Sequence, residues 1–125
     1  MLSKRNVMAT VAVRNLEIAR QFYENKLGLT QIDTGEPEVA VYNCGNASLM
    51  VYVSQYAGTN KATAATWDVG SDVIPIVQDL KAKGIVFEHY DFPDTRLEGD
   101  VHVFEKIKVA WFKDPDGNIL SIVGQ

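Results

Sequence analysis

The reading of this chain turns on one stretch: Val11-Ala12-Val13-Arg14-Asn15-Leu16-Glu17, followed a turn later by Phe22-Tyr23-Glu24-Asn25-Lys26-Leu27-Gly28-Leu29. Residues 7–13 (VMATVAV) are apolar and rich in β-branched side chains, which predicts a strand. Asn15 then offers a side-chain oxygen to the unpaired N–H groups of a helix start. Leu16, Ala19, Phe22, Tyr23 and Leu27 recur at helical spacing and give the helix one apolar face. Gly28 stands where a left-handed residue ends a helix.

Working outward, 34–38 (TGEPE) is turn-like, and 39–43 and 48–53 predict two strands. Asn43-Cys44-Gly45-Asn46 between them has hairpin-turn chemistry. After a polar connector over 58–63 the pattern restarts. A short strand over 66–69 contains Trp67, Asp72 is placed to cap a helix with Pro75 in its first turn, and Val73, Val77 and Leu80 form the apolar stripe up to Gly84. Strands are expected over 86–90, 101–105, 108–113 and 119–123, separated by a loop over 91–100 and the tight turn Asp114-Pro115-Asp116-Gly117-Asn118. Val13 and Gly28 reappear as Val69 and Gly84, each 56 residues on. This spacing points to a single α+β domain over 1–125, made of two similar strand-helix-strand halves at about 5–57 and 62–125. Two apolar-faced helices share a core with the strands most economically by covering one sheet face, which leaves the other curved around a cavity.

Composition narrows the function classes. The chain has 125 residues, 46% apolar and 22% charged, which suits one domain with its own core. The net charge is −4 and no basic run exists, so the electrostatic footprint of a nucleic-acid binder is missing. Cys44 is the only cysteine, which excludes an intramolecular disulfide and fits a reducing compartment. No apolar run follows the first residues and none approaches a membrane span, so a cytoplasmic protein is expected, with neither nucleic acid nor membrane as partner.

Taken together, these stretches resemble one family. The strand-cap-helix opening at 11–29, the helix end Leu80-Lys81-Ala82-Lys83-Gly84-Ile85 and the closing hairpin Ala110-Trp111-Phe112-Lys113-Asp114-Pro115-Asp116-Gly117-Asn118-Ile119-Leu120 are similar, in order and spacing, to vicinal-oxygen-chelate proteins: the glyoxalase, bleomycin-resistance and dioxygenase superfamily. The resemblance implies paired βαβββ modules forming a curved-sheet cup around a small-molecule site, usually in a homodimer. In metal-dependent members, four strand positions carry ligands into the cup. They correspond here to Met8, its repeat-mate Ala64, Met50 and Ser121. None is a usual ligand for a divalent metal, and a one-residue slip lands on Val7, Ala9, Leu49, Val51, Thr63, Ala65, Leu120 or Ile122, which is no better. Glyoxalase-type isomerisation, extradiol cleavage and metal-dependent fosfomycin opening all use the ion as Lewis acid or oxygen-binding centre. Those activities are therefore disfavoured, and no metal or cofactor is expected.

Strand alternation gives the expected cup lining. Met8, Thr10 and Ala12 point inward, with Val11 and Val13 against the helix. Met50 and Tyr52, Ala64, Thr66 and Asp68, and Ile119 and Ser121 also point inward, and Trp111 matches a cavity-lining position of the resembled family. The candidate ligand-binding residues are Met8, Thr10, Met50, Tyr52, Thr66, Trp67, Trp111 and Ser121: apolar and aromatic walls with a few hydroxyls, as small-molecule sites commonly have. No catalytic residue is assigned. The leading expectation is a small-molecule binder for a partly aromatic or apolar ligand that needs no metal. One alternative is a lyase, isomerase or dioxygenase-like enzyme using His89 and His102, with or without a relocated metal, with Tyr90 and Asp91 contributing if the 91–100 loop closes over the cup. Another is a cup filled by its own side chains, serving dimerisation. Cys44 has no charged neighbour to activate it and is expected to be structural.

Overall fold

The computed structural model describes residues 1–32 and 35–125. A short 3₁₀ turn (Leu2–Lys4) leads into β1 (Ala9–Val13), then α1 (Leu16–Arg20), whose last turns widen into a π-helix (Gln21–Lys26). Next come β2 (Thr30–Ile32), β3 (Val39–Cys44) and β4 (Ala47–Val53). The second half runs β5 (Thr63–Asp68), α2 (Val73–Ala82), β6 (Phe87–Glu88), β7 (Arg96–Glu98), β8 (Val101–Phe104), β9 (Ile107–Lys113) and β10 (Ile119–Gly124). Asn15 caps α1 as expected, its side-chain oxygen accepting from Ile18 N at 3.0 Å. Asp72 precedes α2 but makes no side-chain cap bond. The π-helix closes with Leu27 N donating to Phe22 O, and it buries the consecutive rings of Phe22 and Tyr23. Gly28 and Gly84 both adopt φ > 0, at +73° and +91°.

The repeat holds in the topology. The first sheet has the order β1-β4-β3-β2, with β1 parallel to β4 and the other pairs antiparallel. In the second, β5 is parallel to β10, β10 antiparallel to β9, and β6 antiparallel to β9, which repeats the same path. The register matches as well. A row across the first sheet reads Thr10–Met50–Val41–Ile32, and its counterpart reads Thr66–Ser121–Trp111–Glu88.

Several elements depart from expectation. β2 lies in a stretch to which the sequence reading assigns no element, and β7 falls within the expected 91–100 loop. β2 has only three residues, and β7 (Arg-Leu-Glu) lacks an apolar alternation, so neither carries a strand signal. β7 and β8 form an additional hairpin on the free edge of β9, beyond β6. β5 starts at Thr63, earlier than 66, with a register shift opposite Ile119/Leu120 that leaves Ala64 unpaired. Of the turn expected over 34–38, Thr34 lies outside the described residues.

One buried core runs through both sheets. Val11, Val13, Leu49 and Val51 meet Leu16, Ala19, Phe22 and Tyr23 on one side, and Ala110, Phe112, Leu120 and Ile122 meet Val73, Val77 and Leu80 on the other. Phe22 and Phe112 join them, with ring centroids 6.4 Å apart. The polar counterpart of this joint is Asp114. Its carboxylate accepts from Tyr23 OH (2.8 Å), Asp116 N, Asn118 N and Asn118 Nδ2, while Asn118 Nδ2 also donates to Ala12 O (2.7 Å) and Arg14 N donates to Asp116 Oδ1. Burial pushes the Asp114 carboxyl above its ordinary range against the pull of these donors, and burial together with Asp114 pushes Tyr23 far up.

Candidate functional site

Alternation on the strands separates a helix-facing side from an inward side. Val11 and Val13 are fully buried against the helices, whereas Thr10, between Ala9 and Val11, is exposed on the inward side together with Tyr52, and Met50 and Met8 are half-buried. In the second sheet, Ser121 is buried and its hydroxyl bonds that of Thr66 at 2.7 Å. Trp111 pairs with Ser121 across the sheet and is half-buried. Its indole N–H donates to Thr63 Oγ1 at 3.1 Å.

Trp67 lies elsewhere. As the neighbour of Thr66 on β5 it faces the opposite side, where it lines a cavity of about 250 Å³ with Leu29, Ile76, Leu80 and Phe112. The sequence reading named it beside Thr66; the two alternate along β5, and both also border a second cavity. This larger cavity, about 440 Å³, lies along the β3–β4 turn and β5, with Cys44, Leu49, Thr66 and Trp67 in its wall. Burial raises the Cys44 thiol pKa, only partly offset by a hydrogen bond from the Trp67 side chain, so this cysteine is held as the thiol.

The inward face of the second sheet carries an aromatic cluster that the sequence reading missed as a unit. The segment after β6 folds back over Trp111: Tyr90 packs edge-on at 5.4 Å and Phe92 tilts against it at 5.5 Å. His102, which pairs with Val109 on β9, stands edge-on to Trp111 at 4.9 Å, and Phe104 touches Phe92 at 5.7 Å. His102 and Phe104 sit two apart on β8 and so share the face of Trp111. That much was readable from alternation, but the fold-back of Tyr90 and Phe92 was not. Tyr90 and Phe92 form a partition with a cavity of about 290 Å³ on either side. One is lined by Lys61, Thr63, Trp111 and Ile119, the other by His89, Thr95, Leu97 and His102.

Charged groups sit at the rim. Asp100 accepts from His89 Nε2 (2.7 Å) and from Lys81 Nζ (2.6 Å), and these two partners hold its carboxyl below the ordinary range. His102 Nε2 accepts from Tyr90 N at 2.9 Å. Burial and the nearby Glu88 raise the Tyr90 hydroxyl, Lys113 opposing, so it stays protonated.

The four positions that would hold a divalent metal in this architecture present two thioethers, a methyl and a hydroxyl. Ser121 is engaged with Thr66, and neutral sulfur is a poor match for the ions of such sites. This donor set does not fit a divalent metal. Among the described residues, no group of three or more His, Cys, Asp and Glu is placed to hold an ion elsewhere either. Nor is any helix of the described residues long and apolar enough to cross a membrane.

Two βαβββ units of matching register, with helices outside and an inward curved face, define a paired-module cup protein. The sequence matches the Glyoxalase/Bleomycin resistance protein/Dioxygenase superfamily over residues 6–122, and the chain belongs to that family. Solved structures share the fold at low identity. A glyoxalase/bleomycin resistance protein/dioxygenase from Alicyclobacillus acidocaldarius has a TM-score of 0.72 at 18% identity, covering 97% of this chain and 91% of that one. Lactoylglutathione lyase from Agrobacterium tumefaciens has 0.71 at 15%, covering 97% and 93%. The fosfomycin resistance protein FosX from Listeria monocytogenes has 0.68 at 13%, covering 95% and 91%. No curated protein matches the sequence.

Proposed function

We propose that this chain is a small-molecule binding member of its family, which takes a planar, largely apolar ligand against the inward face of the second sheet without a metal. The observation that carries this reading is the aromatic wall of Tyr90, Phe92, His102 and Trp111, with cavities of about 290 Å³ on both sides of its partition. Offset and edge-on aromatic contacts contribute about 0.5–1.5 kcal/mol each beyond area burial, which favours planar ligands. The hydroxyls of Thr63 and Thr95 and the rim charges are polar groups that would orient the ligand.

The test uses a Trp67→Phe background, so that Trp111 is the only indole. Naphthalene, as a two-ring planar probe, is expected to change Trp111 emission saturably, and Trp111→Ala, followed by the fluorescence of naphthalene itself, is expected to weaken its binding at least tenfold. Absence of any saturable change refutes the reading.

The proposal includes a homodimer. The inward side of the first sheet leaves Thr10 and Tyr52 open in the single chain, as a surface that a second copy would cover. The enzyme reading through His89 and His102 is less well supported: His102 Nε2 is already committed to Tyr90 N, and His89 is tied to Asp100 at the rim.

A further inference from the structure

His102 is 1% exposed, and its two ring nitrogens are treated differently by the fold. Nε2 accepts from the backbone N–H of Tyr90 at 2.9 Å. A backbone N–H can only donate, so Nε2 carries no proton and the imidazole, as a neutral ring, carries its hydrogen on Nδ1. Nδ1 is buried and has no hydrogen-bond partner. A buried donor without an acceptor costs about 1–3 kcal/mol, and native structures carry few of them. Trp111, Phe92 and Tyr90 pack around the imidazole at 4.9, 6.1 and 6.3 Å; Trp111 and Phe92 carry no acceptor, and the Tyr90 hydroxyl, which could accept, is buried and makes no hydrogen bond either. His102 lines the cavity of about 290 Å³ that it shares with His89, Phe92, Thr95 and Leu97.

From this geometry we infer, resting on the binding function proposed above, that the His102-side cavity is the recognition half of the site. It takes a planar molecule whose edge carries a hydrogen-bond acceptor, a carbonyl oxygen or a ring nitrogen, and His102 Nδ1–H reads that acceptor as the specificity-determining donor. A ligand that brings the acceptor, once it displaces the packing that now closes Nδ1 to solvent, satisfies the orphan donor on a ring whose orientation Tyr90 N already fixes. A hydrocarbon of the same shape leaves it unpaired.

The experiment compares coumarin, which presents a carbonyl, with naphthalene, a similar two-ring shape without one. Both are titrated into the full chain and followed by ¹H–¹⁵N NMR, including the imidazole N–H of His102. Coumarin is expected to bind at least tenfold more tightly, which corresponds to about 1.4 kcal/mol, and to move the His102 Nδ1–H signal and the amides of Thr95 and Leu97. His102→Phe keeps a flat ring without the donor and is expected to bring the two affinities together. Should that variant fail to fold, the comparison of the two probes on the unaltered protein decides by itself. Naphthalene binding as tightly as coumarin, or an unchanged His102 signal in saturated coumarin complex, overturns the inference and leaves the binding function standing. Binding of neither probe overturns both.

Discussion

At the residue scale, one carboxylate links the halves of this molecule and another ties Lys81 to His89 beside the aromatic cluster, and the two respond to pH in opposite directions. Asp114 gathers donors from Tyr23, Asp116 and Asn118 in a buried setting. Removing one donor by Tyr23→Phe leaves an ionised acceptor short of a partner, and the expected loss is about 1.5–3 kcal/mol, measured as a shift in urea midpoint with an unchanged slope. The raised folded-state pKa of Asp114 means that its contribution to stability is present at low pH and lost as pH rises through the folded value. Asp100 works with the other sign. Lys81 and His89 lower its pKa, so its contribution is complete above the unfolded value of about 3.9 and is lost as pH falls through the lower folded value. Denaturation of Asp100→Asn followed against pH is expected to show a stability deficit at pH 7 that shrinks steadily below pH 4. A deficit that is constant with pH contradicts the assignment.

At the element scale, the connections are fixed by close approaches that glycine alone permits. Gly58 has φ +72°, and a Cβ there would lie 1.9 Å from the Asp116 carbonyl oxygen, whereas Gly117 has φ +90° with open space around it. Gly117→Ala is expected to cost about 1–2 kcal/mol, the left-handed penalty alone. Gly58→Ala adds a backbone collision worth about 1–3 kcal/mol more, and thermal denaturation of the two variants checks the order. The strands and helices with strong apolar periodicity were legible: the core faces of β1, β4, β9 and β10 and both helices fall where spacing put them. β2 and β7 were not, because three-residue strands pair through backbone alone and leave no pattern in side chains. The inward face was partly legible. Alternation places Thr10, Met50, Thr66 and Ser121 on the inward rows and the family resemblance adds Trp111, while Trp67, one residue from Thr66, also lines the helix-side cavity. The aromatic cluster escaped because Tyr90 and Phe92 reach Trp111 through an irregular segment, whose path no periodicity encodes.

At the scale of the whole molecule, the repeat explains both what this chain keeps and what it has exchanged. The matching rows Thr10–Met50–Val41–Ile32 and Thr66–Ser121–Trp111–Glu88 show two modules held in register, yet the second alone carries the β7–β8 hairpin and the aromatic fold-back. The joint between them is apolar, and Phe112→Ala, which removes a ring touching Phe22 and Phe87, is expected to cost about 3–5 kcal/mol in a single cooperative transition rather than in two separate steps. The homodimer proposed above is checked by sedimentation equilibrium at micromolar concentration, where a mass twice that of the chain is expected.

The central claim, a planar-ligand site that works without a metal, is tested most directly by titrating naphthalene into tag-free Trp67→Phe protein while following Trp111 emission, once with EDTA and once with added Zn²⁺ or Ni²⁺. The account predicts a saturable change with the same Kd in every buffer. No saturable change, or one that EDTA abolishes, contradicts it.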